Sequence, residues 1–196
     1  MVFNESALVG ELRELPPPYR VAFAAACAER LFPAYVTFCE RAGRGDPGGL
    51  AEMLRSVWTD LLGDKPDPAR LRDELNRCMA LIPGDDDEPW VEDQPYADDA
   101  ASALAYTLGA LQADDPQQAA WAARRAYEAL DYQVTHCLGI EDEVQVAEHA
   151  IVQAELLRQR RDLDDLRTAN GRSTEVIVRL RDRARRDAEV FFDDSH

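Results

Sequence analysis

The sequence has little that signals export, metal binding or phosphate chemistry. No stretch approaches the ~18 consecutive apolar residues of a membrane span. The start, MVFNESALVGELREL, has neither the basic n-region nor the apolar h-region of a signal peptide, so the expected location is the cytoplasm. There are four cysteines and no CxxC, and each cysteine falls among apolar residues at helical spacing. They are expected to be small buried hydrophobes rather than disulfide partners or zinc ligands. With only three histidines, a site needing several converging nitrogen or sulfur ligands is not expected, and no cofactor is called for.

Other motifs are missing in informative ways. A di-iron carboxylate bundle needs Glu-x-x-His on two helices. Here Gln133 stands three residues before His136 and Val146 three before His149. An EF-hand begun at Asp85 would want Gly where Trp90 lies and Glu where Tyr96 lies. There is no GxGxxG, GxxxxGK[ST] or GxSxG, and RGDPGGL (Arg44 to Leu50) lacks the Lys-Ser/Thr end of a phosphate loop. No catalytic residue is assigned on this basis.

Charge is plentiful and one-sided: 38 acidic against 22 basic residues, a net −16, which disfavours sequence-independent nucleic-acid binding. From Cys78 to Ala123 there is no Lys or Arg, while ten acidic residues lie between Asp85 and Asp115. From Arg158 to Arg186 there are ten arginines. The acidic middle is expected either to be neutralised by the basic end or to face a cationic partner.

The apolar period is helical nearly everywhere, and no alternating strand is found, so the expected fold is all-α. The 196 residues suit a single helical domain, a chain length that buries roughly 70% of its unfolded surface. The pattern predicts about eight helices, mostly antiparallel, with short links. Pro16 to Pro18 break the chain after a leading helix, and Asp46-Pro47, Asp67-Pro68 and Asp115-Pro116 each supply an N-cap and a first-turn proline. Leu50, Met53, Leu54, Val57, Trp58, Leu61 and Leu62 give the third helix one clear buried face. A seventh helix is predicted from about Asp142 to Thr168 with Ala147, Ala150, Ile151, Ala154 and Leu157 inward, before a turn at Asn170-Gly171.

The second helix contains Pro33, which removes an N–H from the carbonyl of Glu29 and predicts a kinked or broken helix. Glu29, Arg30 and Tyr35 surround that point and are candidate pocket residues; the plainer alternative is that Arg30 bonds the freed carbonyl or a nearby carboxylate. We expect Glu29, Arg30 and Asp99 to meet as a buried network between the second and fifth helices.

The strings AERLFPAYVTFCERAGRGD (Ala28 to Asp46), Val57-Trp58, IPGDDD (Ile82 to Asp87) and YADDAASAL (Tyr96 to Leu104) together resemble the YjaG-like family of bacterial proteins of unknown function. The resemblance spans about Tyr19 to Phe191 and implies an all-helical cytoplasmic protein, with no established activity to carry over. The family pattern has a cysteine directly before the Glu-Arg pair; here Ala28 stands there and Cys27 one position earlier, against a cysteine nucleophile in this helix.

Two functions fit these features. One is a non-enzymatic interaction or regulatory protein whose acidic face, Asp85 to Asp99 with Trp90 and Tyr96, binds a basic protein partner. The other is a small-molecule binder or enzyme with a polar pocket near Glu29, Arg30 and Asp99. Self-association is also expected to be open to the chain, because Val2, Phe3, Phe191 and Phe192 need cover.

Overall fold

The computed structural model describes residues 1–63, 66–84, 90–169 and 173–192. Among the described residues every regular element is helical: α1 (Glu5–Arg13), α2 (Pro17–Ala42), α3 (Pro47–Leu62), α4 (Pro68–Met79), α5 (Gln94–Ala113), α6 (Pro116–Tyr132), a π-helical turn (Gln133–Cys137), α7 (Glu143–Glu148), α8 (Ala150–Thr168) and α9 (Thr174–Ala188). The all-α expectation holds, with nine α-helices among the described residues rather than eight.

The Asp-Pro starts work as the sequence implies. Asp46 accepts from the Gly49 N–H at 2.8 Å, Asp67 from Ala69 at 3.0 Å and Asp115 from Gln117 at 2.9 Å. Each cap satisfies an N–H that the helix itself leaves open, worth about 1 kcal/mol. At the other end of α2, Gly43 takes φ 64 and its N–H reaches the Cys39 carbonyl. Gly45 follows at φ 93, where a Cβ would come within 2.6 Å of Cys39 Sγ. Only glycine fits both the backbone and the space, which makes the link to α3 this short.

Helix α2 is the central element and touches α3, α5, α6, α8 and α9. Alanine is the reason so many neighbours reach it: Ala22, Ala25, Ala26, Ala101, Ala122 and Ala126 are among its fully buried residues and those of α5 and α6. Small side chains let helix axes close up, and Trp58, Phe23, Phe38 and Leu31 fill what remains. By length and composition α2 could cross a membrane, yet 72% of its apolar stretch is buried inside this bundle, as in a core helix.

Several expectations need correction. Pro33 does not break α2, which runs from Pro17 to Ala42 as one helix. Packing on all sides outweighs the ~3 kcal/mol that an interior proline costs. The predicted seventh helix is two, α7 and α8, separated at His149 with extended backbone (φ −61, ψ 141). The inward face of α8 is Val152, Glu155, Leu156, Gln159, Asp162, Leu163 and Leu166, while Leu157 is 59% exposed. Of the four cysteines Cys27, Cys39 and Cys78 are buried as expected, but Cys137 is exposed. Of the apolar residues offered above as a reason for self-association, Phe191 is buried, Phe3 and Phe192 are half-buried, and Val2 is exposed. The Asn170-Gly171 turn and Asp85 to Glu88 lie outside the described residues.

Candidate functional site

The three groups expected to meet near Pro33 do not meet. Arg30 is fully buried and turns to α8, where Nη1 donates to Asp162 at 2.8 Å and Nη2 to Glu155 at 2.8 Å. Gln159 Nε2 adds a 2.9 Å bond to the same Glu155 oxygen, and Arg183 of α9 donates to the other Asp162 oxygen at 2.8 Å. Arg30 Nη2 also points at Cys27 Sγ, 3.3 Å away. Burial alone would lower the Arg30 pKa, but Glu155, Cys27 and Asp162 outweigh it and hold the guanidinium firmly charged. The same burial raises the Glu155 carboxyl against the pull of Arg30, and pushes the Cys27 thiol up. The cluster is an ionic clasp joining α2, α8 and α9, with Arg30, Glu155 and Asp162 buried and Arg183 at its partly exposed edge.

Glu29 faces another way, accepting from Trp58 Nε1 at 2.7 Å and from Arg185 Nε at 3.0 Å. Asp99 is buried on α5 and meets Arg125 of α6 at 3.2 Å, with Asp98 and Glu128 sharing that arginine. Burial pushes its carboxyl up to about 7, beyond what Arg125 restores. Tyr35 is also buried, donates to the Leu81 carbonyl at 3.1 Å, and is pushed up to about 12 by burial. Trp90 is 57% exposed. Among the described residues the arginine-rich end pairs with α1, α2 and α8, as in Arg160 and Arg167 on Glu11, Arg185 on Glu29 and Arg183 on Asp165. Among the described residues no group of three or more His, Cys, Asp or Glu is arranged to hold a metal ion.

A cleft does open at Pro33, and none of the clasp side chains lines it. It has a volume of about 510 Å³ and is lined from α2 by Pro33, Ala34, Thr37 and Arg41, from the start of α5 by Asp93 and Tyr96, from the π turn by Gln133 and Cys137, and by Ala188, Glu189 and Phe192. The π turn forms its wall because the chain there carries one extra residue: the Leu138 N–H reaches five residues back to the Gln133 carbonyl, at 3.1 Å. Tyr96 is its aromatic hub, edge-on to Tyr132 and to Phe192 at 5.4 and 5.1 Å between centroids, with its hydroxyl 3.2 Å from Cys137 Sγ. Arg41 lies at the rim, 64% exposed, and holds both oxygens of Asp93 at 3.0 and 2.8 Å. Of the candidate residues read from the sequence, only Tyr96 lines this cleft. Arg41, Gln133, Cys137 and Phe192 come from distant segments, and no spacing in the sequence marks them as neighbours.

The comparisons agree with the fold. A crystal structure of a DUF416 family protein from Shewanella baltica OS155 superposes with a TM-score of 0.80 over 90% of this chain and 92% of that one, at 23% identity. At that identity the likeness shows the fold alone. No curated protein matches the chain significantly. Residues 8–189 match the family described as "Protein of unknown function (DUF416)", and the chain therefore belongs to the DUF416 family.

Proposed function

We propose that this protein binds a small molecule and that the ligand occupies the cleft beneath Pro33. The observation that carries the reading is the cleft itself. Its volume falls within the range of ligand sites, its lining mixes apolar walls with a few polar groups, and one wall is a π-helical turn, an irregularity frequent at functional sites. The reading assigns binding rather than catalysis, since the His136 ring stacks on Tyr132 at 4.1 Å instead of serving the thiol. We also place the chain among the YjaG-like members of its family, on the Glu29-Arg30-x-x-Pro33-x-Tyr35 string.

Cys137 supplies the test. As the exposed cysteine, it is expected to give one fast-reacting thiol with Ellman's reagent under native conditions, and Cys137→Ser to remove it. Fragments that bind should slow that reaction and shift backbone amide resonances at Tyr96, Gln133 and Cys137. A fragment screen whose hits gather elsewhere and leave the labelling rate unchanged would overturn the reading.

A second reading, docking of a basic protein on the acidic face, is favoured by the exposure of Trp90 next to Glu92. Asp99 takes no part in it, being buried on Arg125. Such a complex is expected to weaken as salt rises, with k_on falling first, by surface plasmon resonance. An affinity indifferent to salt counts against it.

A further inference from the structure

We propose that the ligand of the cleft is an organic cation with an apolar stem: an ammonium or guanidinium group on an alkyl or aryl chain. This rests on the reading of the cleft as a binding site and adds the chemistry of what enters it.

Charge is the first ground. The lining holds two carboxylates, Asp93 and Glu189, against one arginine. That arginine is turned to Asp93, since Arg41 Nη1 donates to both of its oxygens. Among the described residues no arginine pairs with Glu189, which leaves a carboxylate at the mouth with its charge uncompensated. Glu92, next to Asp93 in the chain, is exposed and adds a third negative charge to that side. Its field is felt inside the ring cluster: after burial and Cys137, Glu92 contributes to the raised pKa of Tyr132.

Aromatic surface is the second ground. Tyr96 and Phe192 line the cleft, and the negative ring faces of such residues attract cations within about 6 Å. A carboxylate beside aromatic rings is an arrangement that separates an ammonium from its neutral isostere. The stem is accommodated by Pro33, Ala34 and Ala188, which offer no polar side-chain group. The net charge of −16 raises the local concentration of any cation approaching the surface.

The same chemistry is presented by a free amine and by a lysine side chain of another protein, so the test carries both. Phenethylamine, 2-phenylethanol and 3-phenylpropionate share a ring and stem and differ in the charge of the head group. They are titrated against the full chain at pH 7 and low salt, following amide shifts at Tyr96, Gln133 and Cys137, together with an N-acetylated, C-amidated Gly-Lys-Gly tripeptide. Phenethylamine is expected to bind about tenfold more tightly than the alcohol, with the carboxylate weakest. Glu189→Gln should shrink that preference to about threefold or less. The tripeptide matching phenethylamine assigns the cation to a protein; phenethylamine alone binding assigns it to a free amine. If the alcohol binds in the cleft as well as the amine does, the cation assignment is wrong while the cleft remains a binding site. If none of the four probes moves cleft resonances, the binding reading falls with it.

Discussion

Arg30→Ala is expected to destabilise the protein by about 3–5 kcal/mol, a fall in Tm of roughly 6–20 °C for a chain of this size. The substitution leaves Glu155 and Asp162 buried on α8 without the guanidinium that both of them contact at 2.8 Å. An uncompensated buried carboxylate is far costlier than a missing apolar contact, because its hydration is lost and nothing replaces it. The pH dependence identifies the cause. Burial already raises the Glu155 carboxyl in the native protein, and removing Arg30 takes away the main opposing effect. In the variant the Glu155 carboxyl should titrate above its unfolded value. The deficit is then largest at neutral pH and above, and shrinks in acid, where Glu155 takes up a proton. Adding Glu155→Gln and Asp162→Asn to Arg30→Met should recover much of the loss. Urea denaturation at pH 5 and pH 8 measures all of this. A loss under about 1 kcal/mol for Arg30→Ala, or one independent of pH, would show that the clasp does not hold α8.

The second large effect belongs to Asp99. Its carboxyl rises from the ordinary 3.8 to about 7, through burial that the 3.2 Å contact to Arg125 only partly offsets. Between those values the native state keeps a proton that the unfolded chain has released. Stability from this group is therefore fully present below about pH 4 and is lost as pH rises through 7, by up to about 4 kcal/mol at ~1.4 kcal/mol per unit. Asp98 and Glu128, which share Arg125, deepen the penalty for ionising Asp99. Other groups tilt the opposite way: the lowered carboxyl of Glu11, set against Arg160 and Arg167 despite its partial burial, costs stability as pH falls. The difference between wild type and Asp99→Asn isolates the effect. The asparagine variant should match wild type near pH 4.5 and be the more stable protein at pH 8. Parallel curves across that range would rule out a proton on Asp99.

The fold was readable where side chains report on their own backbone. Asp46, Asp67 and Asp115 each announce a helix because a carboxylate followed by proline caps the turn it begins, whatever the rest of the chain does. Helix α3 shows its buried face because every inward residue on it is apolar. Helix α8 hides its face for the opposite reason. Glu155, Gln159 and Asp162 continue the stripe of Val152, Leu156 and Leu163, so a reading that counts only apolar residues rotates the helix and sends Leu157 inward. Polar residues at the 4,3 spacing were the available clue, and their complement was Arg30, which the sequence reading had set against Glu29 and Asp99. The separation between Arg30 and Asp162, 132 positions, carries no sequence signal. At Pro33 it was the broken-helix alternative that fell, since local propensity cannot show how many helices pack against α2. The cleft was legible only in Tyr96, because it is assembled from four stretches of chain, one of them a π turn that has no composition of its own.

That turn also constrains what descent can change here. Each helical residue advances the chain by about 100°, so losing the surplus position between Tyr132 and Leu138 would rotate α6 against everything that follows it. Gln133 and Cys137 would swing out of the wall together. Relatives that keep this cavity can exchange its side chains one at a time, but an insertion or deletion in that short interval erases the cavity in a single step.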